Sequence, residues 1–200
     1  MAKPKRILYP VLFMLLITAV YTSVLAGINA ISLERINIQE ALRLQRAVLF
    51  VNDIEASDDQ ITEMFASSFY LVTKNDLSYY VRKENDQILS YTFPFKGKAL
   101  WGTVDGYIAF DANLKTILGV DFLKHSETPG LGGRIDEAWF KEQFRGISLE
   151  TTPFLRYQNE SKGNIDAITG ATLTSNAIKS MLNDFINNLK VNEGMVIANE

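Results

Sequence analysis

From Ile7 to Ile28 the chain is apolar and carries no charged side chain. That length is close to the roughly 20 residues a helix needs to cross the hydrocarbon core of a bilayer. The run predicts a transmembrane helix, with Pro10 near its start, where a proline is tolerated. Lys3, Lys5 and Arg6 precede it. Basic residues stay on the cytoplasmic side, so the N-terminus is expected inside the cell and the rest outside. In a bacterium, outside means the periplasm or the outer face of the cytoplasmic membrane. A cleaved signal peptide has a shorter apolar region, about 7–15 residues, closed by a small-x-small site. Val24-Leu25-Ala26 matches such a site only in part, so the run reads as an uncleaved anchor.

Composition narrows the function classes. Two hundred residues suggest one domain plus appendages. The formal net charge of -3 offers no basic surface for nucleic acid. Cysteine is absent, which removes disulfides, thiolate metal sites, iron–sulfur ligation and cysteine nucleophiles together. The single histidine, His125, excludes a multi-histidine metal site. A lone histidine at a strand end is expected to be a surface or hydrogen-bonded residue, and no proton transfer is assigned to it.

Beyond the anchor, Ile31 to Val51 shows helical spacing of Ile38, Leu42 and Leu49 and reads as a stalk. Ser57 or Asp58 is the expected N-cap of a further helix that buries Ile61, Met64 and Phe65. The pattern then changes to short runs rich in β-branched and aromatic residues. Leu77–Arg82 and Gln87–Phe93 predict one hairpin, and Leu100–Asp111 with Leu114–Leu123 a second. Phe95-Lys96-Gly97-Lys98 is expected to be the loop between the pairs. A short helix is expected over Glu137–Phe144, with Trp139, Phe140 and Phe144 as its apolar face, and one more strand over Phe154–Tyr157. The last helix is expected from about Ser175 to Leu189, with Ile178, Met181, Leu182, Phe185, Ile186 and Leu189 on one stripe. The fold class is α+β: a single transmembrane helix, a helical stalk and a mixed, mostly antiparallel domain. The corresponding divisions are residues 1–31, 32–69 and 70–200.

Two segments carry chemistry. Asp166-Ala167-Ile168-Thr169-Gly170-Ala171-Thr172-Leu173-Thr174-Ser175 places a row of hydroxyls where the last helix begins. A helix N-terminus presents unpaired N–H groups and the positive end of the macrodipole, so it favours a phosphate. Simple capping by Thr172, Thr174 or Ser175 explains one of these hydroxyls but not the whole order. His125-Ser126-Glu127-Thr128-Pro129-Gly130-Leu131-Gly132-Gly133-Arg134 is rich in turn signals and can bring backbone N–H groups close to a ligand.

Together these residues resemble the membrane-anchored FMN-binding subunits of two related respiratory complexes. These are the C subunit of the Na⁺-translocating NADH:quinone oxidoreductase and the G subunit of the Rnf electron-transport complex. The family pattern Asp-x-x-Ser/Thr-Gly-Ala-Thr-x-Thr/Ser falls on Asp166, Thr169, Gly170, Ala171, Thr172 and Thr174. The resemblance implies that FMN is joined through its phosphate to Thr174. It also implies a Mg²⁺-dependent flavin transferase with FAD as donor, reading Asp166, Thr169, Gly170, Ala171 and Thr172. Threonine is a poor nucleophile without a base, and no histidine lies in the segment, so self-flavinylation is not expected. The transferase is expected to need an accessible, extended acceptor loop. Glu127-Thr128-Pro129-Gly130-Leu131-Gly132 matches the family's other signature, a loop lying along the bound flavin. Glu127, Thr128, Leu131, Gly132, Gly170, Ala171, Thr172 and Leu173 are therefore expected flavin contacts.

Trp101 sits in Gly97-Lys98-Ala99-Leu100-Trp101-Gly102, similar to a Gly-x-x-Leu-Trp signature of the quinone-reductase family member. Flavin cover and core packing are equally open for it. The implied function is an electron-carrier subunit of an ion-translocating redox complex, of the NADH:quinone oxidoreductase type. Its implied partners are other membrane subunits, the transferase and membrane lipid. An Rnf-type subunit and a stand-alone membrane-tethered flavoprotein are the alternatives, and a non-redox binding module is a third.

Overall fold

The computed structural model describes residues 5–74, 77–158 and 160–192. The expected basic tip at Lys3 lies outside them, and Lys5 and Arg6 are described as backbone only. The chain divides into two units, Met1–Leu42 and Arg43–Glu200.

The described residues of the first unit belong to helix α1, Lys5–Val51. Its stretch from Leu8 is long and apolar enough to cross a membrane, and none of its most apolar window is buried. Large apolar side chains such as Leu12, Met14, Leu16 and Leu25 stand more than half exposed, as expected of a surface whose solvent is lipid. Pro10 lies inside the helix.

The second unit begins with the last turns of α1, where Ala47, Val48, Leu49 and Val51 are buried. A short helix α2, Ile61–Ser68, follows. Neither Ser57 nor Asp58 caps it: the N-cap is Gln60, without a side-chain cap bond, and the Ser57 hydroxyl donates to Gln60 Oε1. Five strands then form a sheet in the order β1-β2-β3-β4-β5, every neighbouring pair antiparallel. They are β1 Phe69–Lys74, β2 Leu77–Glu84, β3 Gln87–Lys98, β4 Thr103–Asp111 and β5 Ile117–Lys124. Strand β1 was not expected from the pattern. It is an edge strand with Tyr70 and Leu71 exposed, so it lacks clean alternation.

The expected loop over Phe95–Lys98 is part of β3, and the turn falls at 99–102 instead. There the Ala99 N–H donates to the Gly102 carbonyl at 2.8 Å. Phe93 and Phe95 both point into the core, which carries the strand past Pro94. Gly97 serves packing rather than turning. A Cβ there would run into Met181 Cγ, on the helix that crosses the sheet.

Two short elements follow the sheet. A 3₁₀ turn covers Gly132–Asp136, and α3 covers Ala138–Glu142. Phe140 and Phe144 are buried as expected, but Trp139 is not part of that face: it is exposed, with the Arg134 guanidinium 5.4 Å above its ring. The expected strand over Phe154–Tyr157 is reduced to one isolated bridge between Tyr157 and Ile165. The buried Asn183 takes the place of a pairing strand. Its Oδ1 accepts from the Phe154 and Leu155 N–H groups, and its Nδ2 donates to the Leu155 carbonyl.

Helix α4 runs Thr172–Asn192 and buries Ile178, Leu182, Ile186 and Leu189, with Met181 and Phe185 partly buried beside them. It begins three residues before the expected start. None of the three candidate hydroxyls caps it from outside, because Thr172, Thr174 and Ser175 are already helical. Ser175 instead turns back, its hydroxyl accepting from the buried Ile168 N–H at 3.0 Å.

Candidate functional site

The site forms where three loops meet the first turn of α4. Thr174 is on that turn and is 1% exposed. Its hydroxyl donates to Glu127 Oε2 at 2.6 Å, the length of a charge-assisted O–H···O⁻ bond. The other carboxylate oxygen, Glu127 Oε1, accepts from the Trp101 backbone N–H at 2.9 Å. Glu127 is itself 4% exposed. A buried carboxylate needs such partners, and here they come from the β3–β4 turn on one side and α4 on the other.

His125 fixes the backbone of Glu127. Its Nδ1 accepts from the Glu127 N–H at 3.1 Å, so Nε2 carries the proton and donates to Asp136 Oδ2 at 2.9 Å. This matches the expectation of a hydrogen-bonded histidine. The pair with Asp136 was not foreseen, since no local spacing signals it.

Gly132 covers the Thr174 hydroxyl with backbone alone. A Cβ there would stand 2.5 Å from Thr174 Oγ1 and 2.6 Å from Glu127 Oε2. The preceding turn folds on the Thr128 carbonyl, which accepts from the Leu131 N–H at 3.1 Å and the Gly133 N–H at 2.9 Å. Gly130 sits in this turn at φ +73°, the left-handed region that glycine occupies without strain.

Around the hydroxyl, Trp101, Leu131 and Leu173 are 67%, 46% and 66% exposed. Trp101 is therefore not core. Exposed large apolar side chains on the segments that meet at Thr174 are available to cover a ligand rather than pack the core. Gly170, at φ +80°, lies beside one of them: a Cβ there would touch Leu131 Cδ2 at 3.5 Å. Ala171 is buried, and its carbonyl accepts the Ser175 N–H at 2.9 Å, while Thr172 is exposed.

Asp166 and Thr169 stand apart from the hydroxyl. With Ala167, Arg134 and Trp139 they line an open depression of about 430 Å³. Gln143 holds this segment through its backbone, accepting from the Asp166 N–H at 2.5 Å. Arg134 and Glu137 pair beside it at 3.0 Å, which holds the Glu137 carboxyl below its ordinary value. Thr174, the expected acceptor, does not lie in the extended, accessible loop expected for it. Thr174 is helical and covered, because α4 starts early and the 128–134 turn closes over it.

Residues 99–187 match the family model described as the FMN-binding domain. This stretch is similar to FMN-binding domains. The matched stretch opens at the turn carrying Trp101 and closes inside α4, so it includes every group of the site just described. The chain is also similar to curated relatives. The C subunit of the Na⁺-translocating NADH-quinone reductase of Yersinia pestis is 34% identical over 113 residues, covering 52% of this chain and 42% of that protein. Its counterpart from Pasteurella multocida is 34% identical over 109 residues, covering 51% and 42%. The chain thus spans less than half the length of these relatives. The crystal structure of NqrC from Shewanella oneidensis superposes with a TM-score of 0.62 at 21% identity, covering 76% of this chain and 99% of that one. The crystal structure of the same reductase component from Parabacteroides distasonis gives 0.63 at 24%, covering 83% and 94%. These likenesses establish the fold: an apolar N-terminal helix, a helical stalk and a five-stranded antiparallel sheet.

The residues present fit FMN. The glycine cover over a hydroxyl at a helix start suits a phosphate, since the first N–H groups of a helix have no intrahelical acceptor. The exposed Trp101, Leu131 and Leu173 suit apolar cover of a flat aromatic ring.

Proposed function

We propose that this chain is the membrane-anchored FMN subunit of an ion-translocating redox complex, of the NqrC type found in NADH:quinone reductase. FMN is held on Thr174 through a phosphoester, and the subunit carries electrons between other centres of the complex. The observation that carries this reading is the buried Thr174 hydroxyl, bonded to Glu127 and surrounded by exposed Trp101, Leu131 and Leu173.

When bound, FMN supplies one- and two-electron chemistry that belongs to the cofactor. The protein's part is placement. The first turn of α4 offers N–H groups and dipole to the phosphate. Leu131, Leu173 and Trp101 are the exposed apolar side chains that would shield the ring from water. Asp166, Thr169, Gly170, Ala171 and Thr172 form the segment that a Mg²⁺-dependent flavin transferase reads, and the depression beside Trp139 gives that enzyme a surface to grip.

The apolar stretch of α1 anchors the subunit in the cytoplasmic membrane lipid, with the basic N-terminus inside and the FMN domain outside. A covalent bond keeps the cofactor where no cytoplasmic pool replaces it. The Trp101 signature and the NADH-quinone reductase relatives favour this complex over the Rnf type. Extraction in mild detergent tests the assembly. Co-purifying multi-span subunits with NADH:quinone reductase activity are expected, and a lone flavoprotein contradicts the complex.

A further inference from the structure

We propose that Glu127 is the general base that activates Thr174 for flavin attachment, so that the acceptor chain supplies part of its own transfer chemistry. This rests on the reading that FMN is esterified to Thr174. Of the four hydroxyls in the motif, at Thr169, Thr172, Thr174 and Ser175, only that of Thr174 meets a carboxylate among the described residues. Threonine is a weak nucleophile unless a base takes its proton. The base within reach is Glu127 Oε2, at 2.6 Å and already accepting that proton in a hydrogen bond.

The step balances without a redox change. Thr174 Oγ1 attacks the phosphorus on the FMN side of the FAD pyrophosphate. The P–O bond to the AMP half breaks, and AMP leaves with the electron pair. The hydroxyl proton passes to Glu127 Oε2. The products are the FMN phosphodiester of Thr174 and AMP.

The cover over the hydroxyl and the carboxylate beside it are held by different hydrogen bonds. The cover is Gly132 and its turn, which hangs on the Thr128 carbonyl. Glu127 is held from elsewhere: its N–H by His125 Nδ1, and its Oε1 by the Trp101 N–H. Lifting that turn would break its bonds to the Thr128 carbonyl and leave those that hold Glu127. His125, oriented by Asp136, is then a positioning residue for Glu127.

The test uses the full-length chain in detergent, a Mg²⁺-dependent flavin transferase and FAD. Covalent flavin is followed with time as fluorescence in a denaturing gel. Glu127→Gln is isosteric: its amide oxygen can still accept from the Trp101 N–H, while its NH2 faces Thr174 Oγ1 as a donor and takes no proton. It is expected to slow transfer by about 100-fold or more, the scale of general-base catalysis. Glu127→Asp keeps a carboxylate and is expected to transfer faster than Glu127→Gln. Wild-type rate in Glu127→Gln overturns the proposal. Equal slowing in both variants also overturns it, since shape rather than basicity is then what matters. A wild-type chain that stays dark while a known acceptor is labelled strikes at the attachment itself, and the proposal falls with it.

Discussion

The Thr174 hydroxyl and the Glu127 carboxylate, 47 positions apart, lie 2.6 Å from each other and are both buried. This one hydrogen bond ties the turn-rich segment to the hydroxyl-rich segment. Everything else in the site is arranged around it: Gly132 covers it, Trp101 closes it through its backbone, and His125 holds Glu127 from behind.

Gly132→Ala tests the cover. The added methyl would stand 2.5 Å from Thr174 Oγ1 and 2.6 Å from Glu127 Oε2, well inside contact distance. Overpacking of this kind costs about 1–3 kcal/mol. Urea unfolding is expected to show that loss, and covalent flavin is expected to form more slowly, because the methyl crowds Thr174 Oγ1 and Glu127 Oε2. Unchanged values for both contradict the close approach.

Trp101→Ala separates cover from core. The side chain is 67% exposed, so its loss is expected to move stability by no more than about 0.5 kcal/mol. Its backbone N–H still reaches Glu127, and covalent attachment is expected to persist. The absorption and fluorescence of the flavin in the native protein are expected to change. A loss of several kcal/mol in urea unfolding would return Trp101 to the core.

Lys141→Met addresses the ion pair between α3 and β5. Lys141 Nζ lies 2.9 Å from Asp121 Oδ1, and both side chains are mostly buried. Burial pushes the Asp121 carboxyl above its ordinary value, opposed by the Lys141 hydrogen bond and charge. With the folded value above the unfolded one, ionisation of Asp121 opposes folding. The contribution is complete below the unfolded value and is lost as pH rises through the folded one. Removing Lys141 leaves the carboxylate with less compensation, at a cost of about 1–3 kcal/mol at neutral pH. The deficit is expected to shrink as pH falls through the raised Asp121 value, where a neutral carboxyl needs no counter-charge. Thermal unfolding from neutral pH to below the carboxylate range checks this, and a pH-independent deficit contradicts it.

What was legible in the sequence was local. The apolar run into α1, the two central hairpins and the stripe on α4 each repeat with a period that a short window reveals. The departures come from tertiary demands. Gly97 reads as a turn residue, yet it is small because Met181 lies over it. Trp139 reads as core, yet it faces Arg134. Thr174 and Ser175 read as caps, yet one meets Glu127 and the other Ile168. The motifs named the residues of the site, but the pairing of Glu127 with Thr174 has no sequence period, because the fold alone brings the two loops together.

The central claim is that Thr174 carries the flavin. Full-length wild type and Thr174→Ala are expressed with the flavin transferase, denatured, and viewed unstained under ultraviolet light, with peptide mass analysis of the 166–179 segment. The account predicts a fluorescent band and an FMN-bearing peptide in the wild type, and neither in Thr174→Ala. A dark wild-type band beside a labelled known acceptor, or undiminished fluorescence in Thr174→Ala, contradicts it.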